Sequence, residues 1–169
     1  LLEVVVDPGQ AFGTGAHGTT RLCLDLLCGL DPGGAVVDLG CGSGVLAIAA
    51  AKLGWTPVLG VDHELESVAA TRENAEANGV ELDVRRFDLL RDGPVPSAPL
   101  VLANLLRPLL LAVARAGLAG GEAPRTLIAS GLLVHEADEV AAAFRDRHGL
   151  LEVERHDDGE GAALLLGRG

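Results

Sequence analysis

The sequence predicts an α/β domain built on a doubly wound, seven-stranded and mostly parallel sheet. Short apolar runs alternate with helical patterns along most of the chain, which is typical of parallel strands joined by crossover helices. The last two runs, at 150–154 and 162–166, lie too close together for such a helix, so we expect an antiparallel hairpin there. A length of 169 residues, 49% of them apolar, suits one well-packed domain over residues 1–169.

The predicted elements begin after a turn-rich loop at residues 7–18. The first predicted element is a helix over about 19–28, which is indicated by leucines that recur on one helical face. The helix expected over 45–53 consists of small apolar residues that can pack close to a sheet, and Gly54 ends it. The strands are expected at 35–39, 57–62, 82–87, 99–105, 126–130, 150–154 and 162–166, and the other helices at 64–78, 109–118 and 134–147.

The composition excludes several classes of function. A net charge of −11 argues against direct nucleic-acid binding, which usually requires a basic face, and favours a small ligand or a basic protein partner. The five histidines and three cysteines lack the spacing of metal ligands, so we expect no metal. An odd number of cysteines indicates reduced thiols in a cytoplasmic protein, and no apolar run is long enough to predict a membrane partner.

A glycine-rich turn and three acids carry the predicted ligand site. Residues 36–44 read Val-Val-Asp-Leu-Gly-Cys-Gly-Ser-Gly, a strand that contains Asp38 and turns into a helix where backbone N–H groups can approach a ligand. Asp62 ends the next strand and can accept hydrogen bonds from both hydroxyls of a ribose, although it is also suited to cap the following helix. Asp88 follows the third strand and is equally suited to accept from an adenine amino group or to cap its own loop.

The glycine spacing separates two cofactor classes. A dinucleotide site requires its third glycine three residues after the second, whereas Gly44 follows Gly42 by two. Asp38 would repel a pyrophosphate but could orient the ammonium group of an amino acid. The pattern therefore favours S-adenosylmethionine over a nicotinamide dinucleotide.

The same residues resemble a known family. Residues 36–44, followed by Gly-Val-Asp at 60–62, look like the first two motifs of class I S-adenosylmethionine-dependent methyltransferases. The upstream segment at 7–20, Asp-Pro-Gly-Gln-Ala-Phe-Gly-Thr-Gly-Ala-His-Gly-Thr-Thr, more specifically resembles the loop that marks the methyltransferases of ribosomal protein L11. Ala-Asn-Leu-Leu at 103–106 and Ser-Gly-Leu-Leu at 130–133 resemble the same family. The resemblance extends from residue 7 to residue 166.

The resemblance implies a Rossmann-like sheet with strand order 3-2-1-4-5-7-6, the last strand being antiparallel. It also implies that the family's N-terminal substrate-recognition domain is absent from this chain. The cofactor contacts carried over by motif are Thr20, Gly40, Asp62 and Asn104, with Phe12, Gly13 and Thr14 in a loop over the methionine end. Asp38, Gly42 and Asp88 complete the predicted cofactor site.

Asn104 is the predicted catalytic residue, beside the methyl group in transfer. Its side chain or the neighbouring carbonyls could accept hydrogen bonds from the N–H groups of a neutral amine and so aim the lone pair of the amine nitrogen. A purely loop-stabilising role of Asn104 stays open. No general base is identifiable from the sequence. We expect a protein N-methyltransferase acting on lysine or terminal amines of ribosomal protein L11. The alternatives are a methyltransferase of the same fold acting on another protein or a small amine, and a non-catalytic cofactor-binding module.

Overall fold

The computed structural model describes residues 2–6 and 17–168. The strands are β1 Val36–Leu39, β2 Val58–Asp62, β3 Asp83–Arg86, β4 Pro96–Ser97, β5 Leu100–Asn104, β6 Gly120–Gly121, β7 Thr126–Leu133, β8 Leu150–Asp157 and β9 Gly161–Arg168. The helices are α1 His17–Cys28, α2 Val45–Leu53, α3 Leu65–Ala77, α4 Arg107–Ala116 and α5 Ala137–His148, and a 3₁₀ turn spans Val134–Glu136.

The main sheet has the order β3-β2-β1-β5-β7-β9-β8, which confirms the predicted seven-stranded architecture. Strand β1 pairs in parallel with β2 and β5, whereas β9 is antiparallel to both β7 and β8. The small parallel pair β4-β6 was not predicted, because two-residue strands carry no periodic signal.

The element boundaries differ from the predictions mainly near the final hairpin. Strand β7 continues three residues beyond the predicted end at Ser130, because pairing with β9 resumes after a register shift and reaches Leu133 opposite Gly161. The helix predicted from residue 134 begins with the 3₁₀ turn, and α5 proper starts at Ala137. Helix α4 starts at Arg107, two residues earlier than predicted, with a proline in its first turn where no N–H partner is needed.

The core lies on both faces of the sheet. Neighbouring side chains of a strand point to opposite faces, and accordingly Val36 packs with α1 and α2 while Val37 packs with α4 and α5. The alanines of α2 at positions 47, 49 and 50 are fully buried, as the small-residue pattern predicted. Within the described ranges, no helix has the length and apolar character needed to span a bilayer. The carboxyl ends of the central parallel strands lie together at one edge of the sheet, between the two helical layers.

Candidate functional site

Three polar side chains lie at or near the ends of neighbouring parallel strands. Asp38 lies near the end of β1, and Asp62 and Asn104 are the last residues of β2 and β5, the two neighbours of β1. The registers align Leu39 with both Val61 and Ala103, so β1, β2 and β5 end at the same level of the sheet. This edge is where open α/β sheets bind their ligands.

The loop between β1 and α2 needs glycine for conformation and for space. Gly40 and Gly42 have φ values of 70° and 55°, a region that other residues rarely adopt. A Cβ on Gly40 would lie 2.6 Å from Cδ2 of Leu105, whereas a Cβ on Gly42 would meet no atom of the described chain within 4 Å. The backbone at Gly42 is therefore open to a ligand.

Asp62 is held in place by two backbone groups. Its Oδ2 accepts a hydrogen bond from the Gly42 N–H at 3.0 Å, and its Oδ1 accepts one from the Glu64 N–H at 3.0 Å. The second bond closes a turn from residue 62 to residue 64. The N-cap of α3 is Glu64, without a side-chain cap hydrogen bond, so the helix cap predicted for Asp62 is wrong. Each carboxylate oxygen has two acceptor positions, so both can still accept a hydroxyl hydrogen. The carboxylate is thus pre-oriented beside the open backbone of Gly42.

Asp38 is a buried acid with one unsatisfied oxygen. Only 1% of its surface is exposed, and among the described residues its Oδ2 has no hydrogen-bond partner. Burial raises the pKa of Asp38 to about 8; the backbone N–H of Ala47 in α2 opposes this rise, and the charge of Asp62 adds to it. An unpaired buried polar atom is costly, so the side chain fits a ligand that brings a cationic donor. This is consistent with the predicted ammonium contact.

The Asn104 amide joins three segments that are distant in sequence. Its Nδ2 donates to Thr20 Oγ1 at 3.1 Å, and its Oδ1 accepts from Ser130 Oγ at 3.0 Å and from Thr19 Oγ1 at 3.4 Å. Thr20 and Asn104, both predicted cofactor residues, are therefore in direct contact although 84 positions separate them. Sequence reasoning missed Thr19 and Ser130 as partners, although Ser130 lies directly opposite Asn104 in the β5-β7 register.

The other predicted residues lie apart from this cluster or outside the described ranges. Asp88 accepts from the Leu90 N–H at 2.9 Å, so it caps its own loop, and its adenine contact stays a prediction. Phe12, Gly13 and Thr14 lie outside the described residues.

Two side chains of α3 that the sequence analysis did not single out also reach the glycine loop. Thr71 and Asn74 donate hydrogen bonds to loop carbonyls. Their spacing of three residues, which places both on one helix face, is the only signal in the sequence that could have indicated them.

A cavity of about 380 Å³ opens beside the Asn104 cluster. Its lining includes Leu106 and Leu133, whose surfaces are 70% and 43% exposed, and the acids Glu136, Asp158 and Glu160. Backbone N–H groups at Gly161 and Glu160 lower the pKa of Asp158, which keeps this carboxylate charged at neutral pH. Arg107 also lines the cavity, where its guanidinium is paired with Glu139. The lining thus combines an apolar surface with three carboxylates and one guanidinium that is already paired. A second cavity, of about 470 Å³, lies at the opposite ends of β1, β2 and β3, away from these side chains.

The described residues show no group of side chains that could bind a metal ion. Two cysteines lie close to the site, but burial raises the pKa of both Cys23 and Cys41 to about 12. Their thiols therefore stay protonated and are poor nucleophiles. The chemistry available at this edge is hydrogen bonding, charge and positioning.

The chain is similar in sequence to proteins of one known family. The family model described as "Ribosomal protein L11 methyltransferase (PrmA)" matches residues 2–165. A ribosomal protein L11 methyltransferase of Pectobacterium carotovorum is 42% identical over 163 residues, covering 93% of this chain and 54% of the relative. One from Shewanella piezotolerans is 46% identical over 149 residues, covering 85% and 49%.

A solved structure extends the likeness to the fold. The crystal structure of a ribosomal protein L11 methylase from Lactobacillus delbrueckii subsp. bulgaricus superposes with a TM-score of 0.79 at 31% identity, covering 96% of this chain and 83% of that one. The chain spans about half the length of the curated relatives it matches.

Proposed function

This chain belongs to the ribosomal protein L11 methyltransferase family, and from that premise we propose that it is an S-adenosylmethionine-dependent protein N-methyltransferase. Its proposed substrates are lysine or terminal amines of ribosomal protein L11. The observation that carries the proposal is the convergence of Asp38, Asp62 and Asn104 around a glycine loop whose backbone is open at Gly42.

The residues at the sheet edge fit the cofactor group by group. S-adenosylmethionine, when bound, supplies a methyl group on a positively charged sulfur. Asp62 would accept hydrogen bonds from the ribose hydroxyls, and the unsatisfied Oδ2 of Asp38 would accept one from the ammonium group. Thr20 and Asn104 would contact the methionine end, near the transferred methyl. The adenine contact of Asp88 and the covering loop with Phe12, Gly13 and Thr14 are part of the same proposal.

Asn104 would act by positioning. Hydroxyl groups of Thr19, Thr20 and Ser130 hold both ends of its amide, which makes the turn after β5 rigid. Ser130 and Thr19 already use both acceptor positions of the amide oxygen, so the carbonyl groups of that turn would accept hydrogen bonds from the N–H groups of an incoming neutral amine and aim its lone pair. Orientation of this kind supplies a large part of the barrier reduction for an in-line displacement. No side chain in the cluster is needed as a covalent nucleophile.

The cavity beside Asn104 supports a basic substrate. The cavity offers exposed Leu106 and Leu133 next to three carboxylates, and Arg107, which also lines it, is paired with Glu139. It therefore suits a basic segment whose lysine or arginine side chains have apolar stems and lie around the amine that reacts. The net charge of −11 likewise favours a basic protein partner and disfavours direct contact with nucleic acid. A ribosomal protein substrate would place the enzyme in the cytoplasm.

Methyl transfer from labelled S-adenosylmethionine to purified ribosomal protein L11 tests the proposal. We expect label on L11 amines, located by mass spectrometry, and calorimetric binding of S-adenosylmethionine but not of NADH. Binding of NADH without S-adenosylmethionine would overturn the cofactor assignment. Cofactor binding with label only on another protein of a ribosomal extract would overturn the substrate. Binding without transfer to L11, to any other protein of the extract or to a small amine would indicate a non-catalytic module.

A further inference from the structure

We propose that Thr71 and Asn74 of α3 are positioning residues for the cofactor, acting through the glycine loop that they brace. The inference rests on the proposed function, because it concerns how the same site binds S-adenosylmethionine. It assigns a ligand-directed role to two buried polar side chains that do not themselves reach the open side of the loop.

The loop has carbonyl groups that need donors. The Cys41 carbonyl accepts from the Gly44 N–H at 2.8 Å, and the Gly44 carbonyl accepts from the Ile48 N–H at 2.8 Å as α2 begins. Within the described part of the chain, no backbone N–H donates to the carbonyls of Gly42 and Ser43, at the apex of the loop. Both residues are half-buried, and carbonyls partly withdrawn from water usually have a hydrogen-bond partner, so the apex depends on side chains for protein donors.

Helix α3 provides both donors. Thr71 Oγ1 donates to the Gly42 carbonyl at 3.0 Å, and Asn74 Nδ2 donates to the Ser43 carbonyl at 2.9 Å. Thr71 and Asn74 are 0% and 4% exposed, so both donors are buried, while the residues that carry the acceptor carbonyls are half-buried. The two hydrogen bonds therefore pull two successive peptide groups of the apex toward α3.

Gly44 allows α3 to come this close. A Cβ at Gly44 would lie 2.9 Å from Thr71 Cγ2 and 3.1 Å from Thr71 Oγ1, closer than side-chain atoms normally pack. Gly44, the third glycine of the motif, therefore makes room for the hydrogen bonds that Thr71 and Asn74 donate to the loop, which we call the brace. Gly42, in contrast, faces open space. Gly44 thus faces α3, whereas Gly42 faces the side of the loop that is open to a ligand.

The brace and Asp62 together fix the backbone on both sides of Gly42. Asp62 accepts from the Gly42 N–H, while Thr71 donates to the Gly42 carbonyl. Glycine has wide conformational freedom, so without the donor from α3 this carbonyl could rotate toward the ligand side. There it would present a partial negative charge next to the Asp62 carboxylate, where ribose hydroxyls are proposed to bind. The brace thus keeps the binding surface free of competing acceptors.

The test compares Thr71→Val, which keeps the shape of the side chain but loses its donor, with Thr71→Ser, which keeps the donor. Thr71→Val loses both the hydrogen bond to the Gly42 carbonyl and the 3.3 Å contact of Thr71 Oγ1 with Cys41 Sγ. We expect it to raise the Kd for S-adenosylmethionine at least about tenfold, and Thr71→Ser, which keeps the hydroxyl for both contacts, to stay within about twofold of the parent. The kcat at saturating cofactor should change less than about twofold, because the Asn104 cluster is untouched. Exchange of the loop amide hydrogens in the ligand-free protein should be faster in Thr71→Val only.

Matched variants keep the test decisive. Asn74→Ala should raise the Kd in the same direction, and it replaces Thr71→Val if that variant does not fold. Glu73→Gln, on the exposed side of α3, should change neither the Kd nor the loop exchange. A Kd within twofold of the parent, with only a lower Tm, would overturn the positioning role and leave the proposed function standing. Failure of the parent to bind S-adenosylmethionine would overturn both.

Discussion

Binding of S-adenosylmethionine at neutral pH should release close to one proton from Asp38. The pKa of about 8 that burial produces leaves this carboxyl group roughly nine-tenths protonated at pH 7. An ammonium group beside the unsatisfied Oδ2 favours the carboxylate, because an opposite charge at contact distance lowers the pKa of an acid. The free and bound proteins therefore differ in protonation.

The size of the effect follows from the pKa difference. If the ammonium returns the pKa of Asp38 to the ordinary range near 3.9, binding at pH 7 releases about 0.9 proton. The apparent affinity then rises roughly tenfold per pH unit between about pH 6 and pH 7.5. The rise ends where the ligand's own amino group loses its proton, at about pH 8.

Calorimetry in buffers of different ionisation enthalpy measures the proton count directly. Asp38→Asn keeps an acceptor for the Ala47 N–H but has no proton to release, so both the release and the pH dependence should disappear. As a ligand control, 5′-methylthioadenosine lacks the amino acid group and should bind to the parent without proton release. Release below about 0.2 proton at pH 7, or equal release from Asp38→Asn, would refute the ammonium contact.

Unfolding of the ligand-free protein provides a second measure of the same pKa. Between about pH 4 and pH 8 the folded chain holds a proton on Asp38 that the unfolded chain has lost, so stability falls as the pH rises through this range. The loss amounts to at most about 5 kcal/mol, and Asp38→Asn should flatten it. A pH dependence without proton release on binding would mean that Asp38 is buried but does not meet the ligand.

Three further changes test separate parts of the site. Asp62→Ala should raise the Kd for S-adenosylmethionine about 100-fold in calorimetry with kcat little affected, since it removes the ribose acceptor and leaves the Gly42 N–H unpaired; an unchanged Kd would contradict this role. Asn104→Ala should lower kcat at least about 100-fold in single-turnover methylation while the Kd changes less than about tenfold, and the reverse pattern would assign Asn104 to binding alone. Glu160→Gln should raise the KM for ribosomal protein L11 about threefold at low salt without changing the cofactor Kd, and an effect that persists at high salt would exclude an electrostatic cause.

The fold could be predicted because its signals are local. Apolar runs separated by helical patterns define β1, β2 and β5 within one or two residues, and Gly54 ends α2 where expected. The predicted boundaries of the elements were wrong where pairing with a distant strand determines the end of an element. Strand β7 continues to Leu133 because β9 pairs with it there, and nothing in the residues around 130 indicates that continuation.

The site could be predicted only in part, for a related reason. The positions of Asp38, Asp62 and Asn104 follow from chain order, since the carboxyl ends of neighbouring parallel strands meet at one edge. Their protonation and partners do not follow from it. The pKa of Asp38 depends on complete burial, and the Asn104 amide is held by groups between 26 and 85 positions away.

By itself, the sequence determined the class of fold, the edge of the sheet that carries the candidate site, and the family, because each depends on spacing within short segments. Only the tertiary structure decided how the glycine loop is held. In the sequence, Gly44 is only one more glycine of the motif, and Thr71 is only a residue of a predicted helix. The structure shows that α3 packs against Gly44 and that the Thr71 hydroxyl donates to the Gly42 carbonyl. Contacts of this kind arise from the approach of whole elements, and the spacing of residues along the chain does not encode the distance between a helix and a loop.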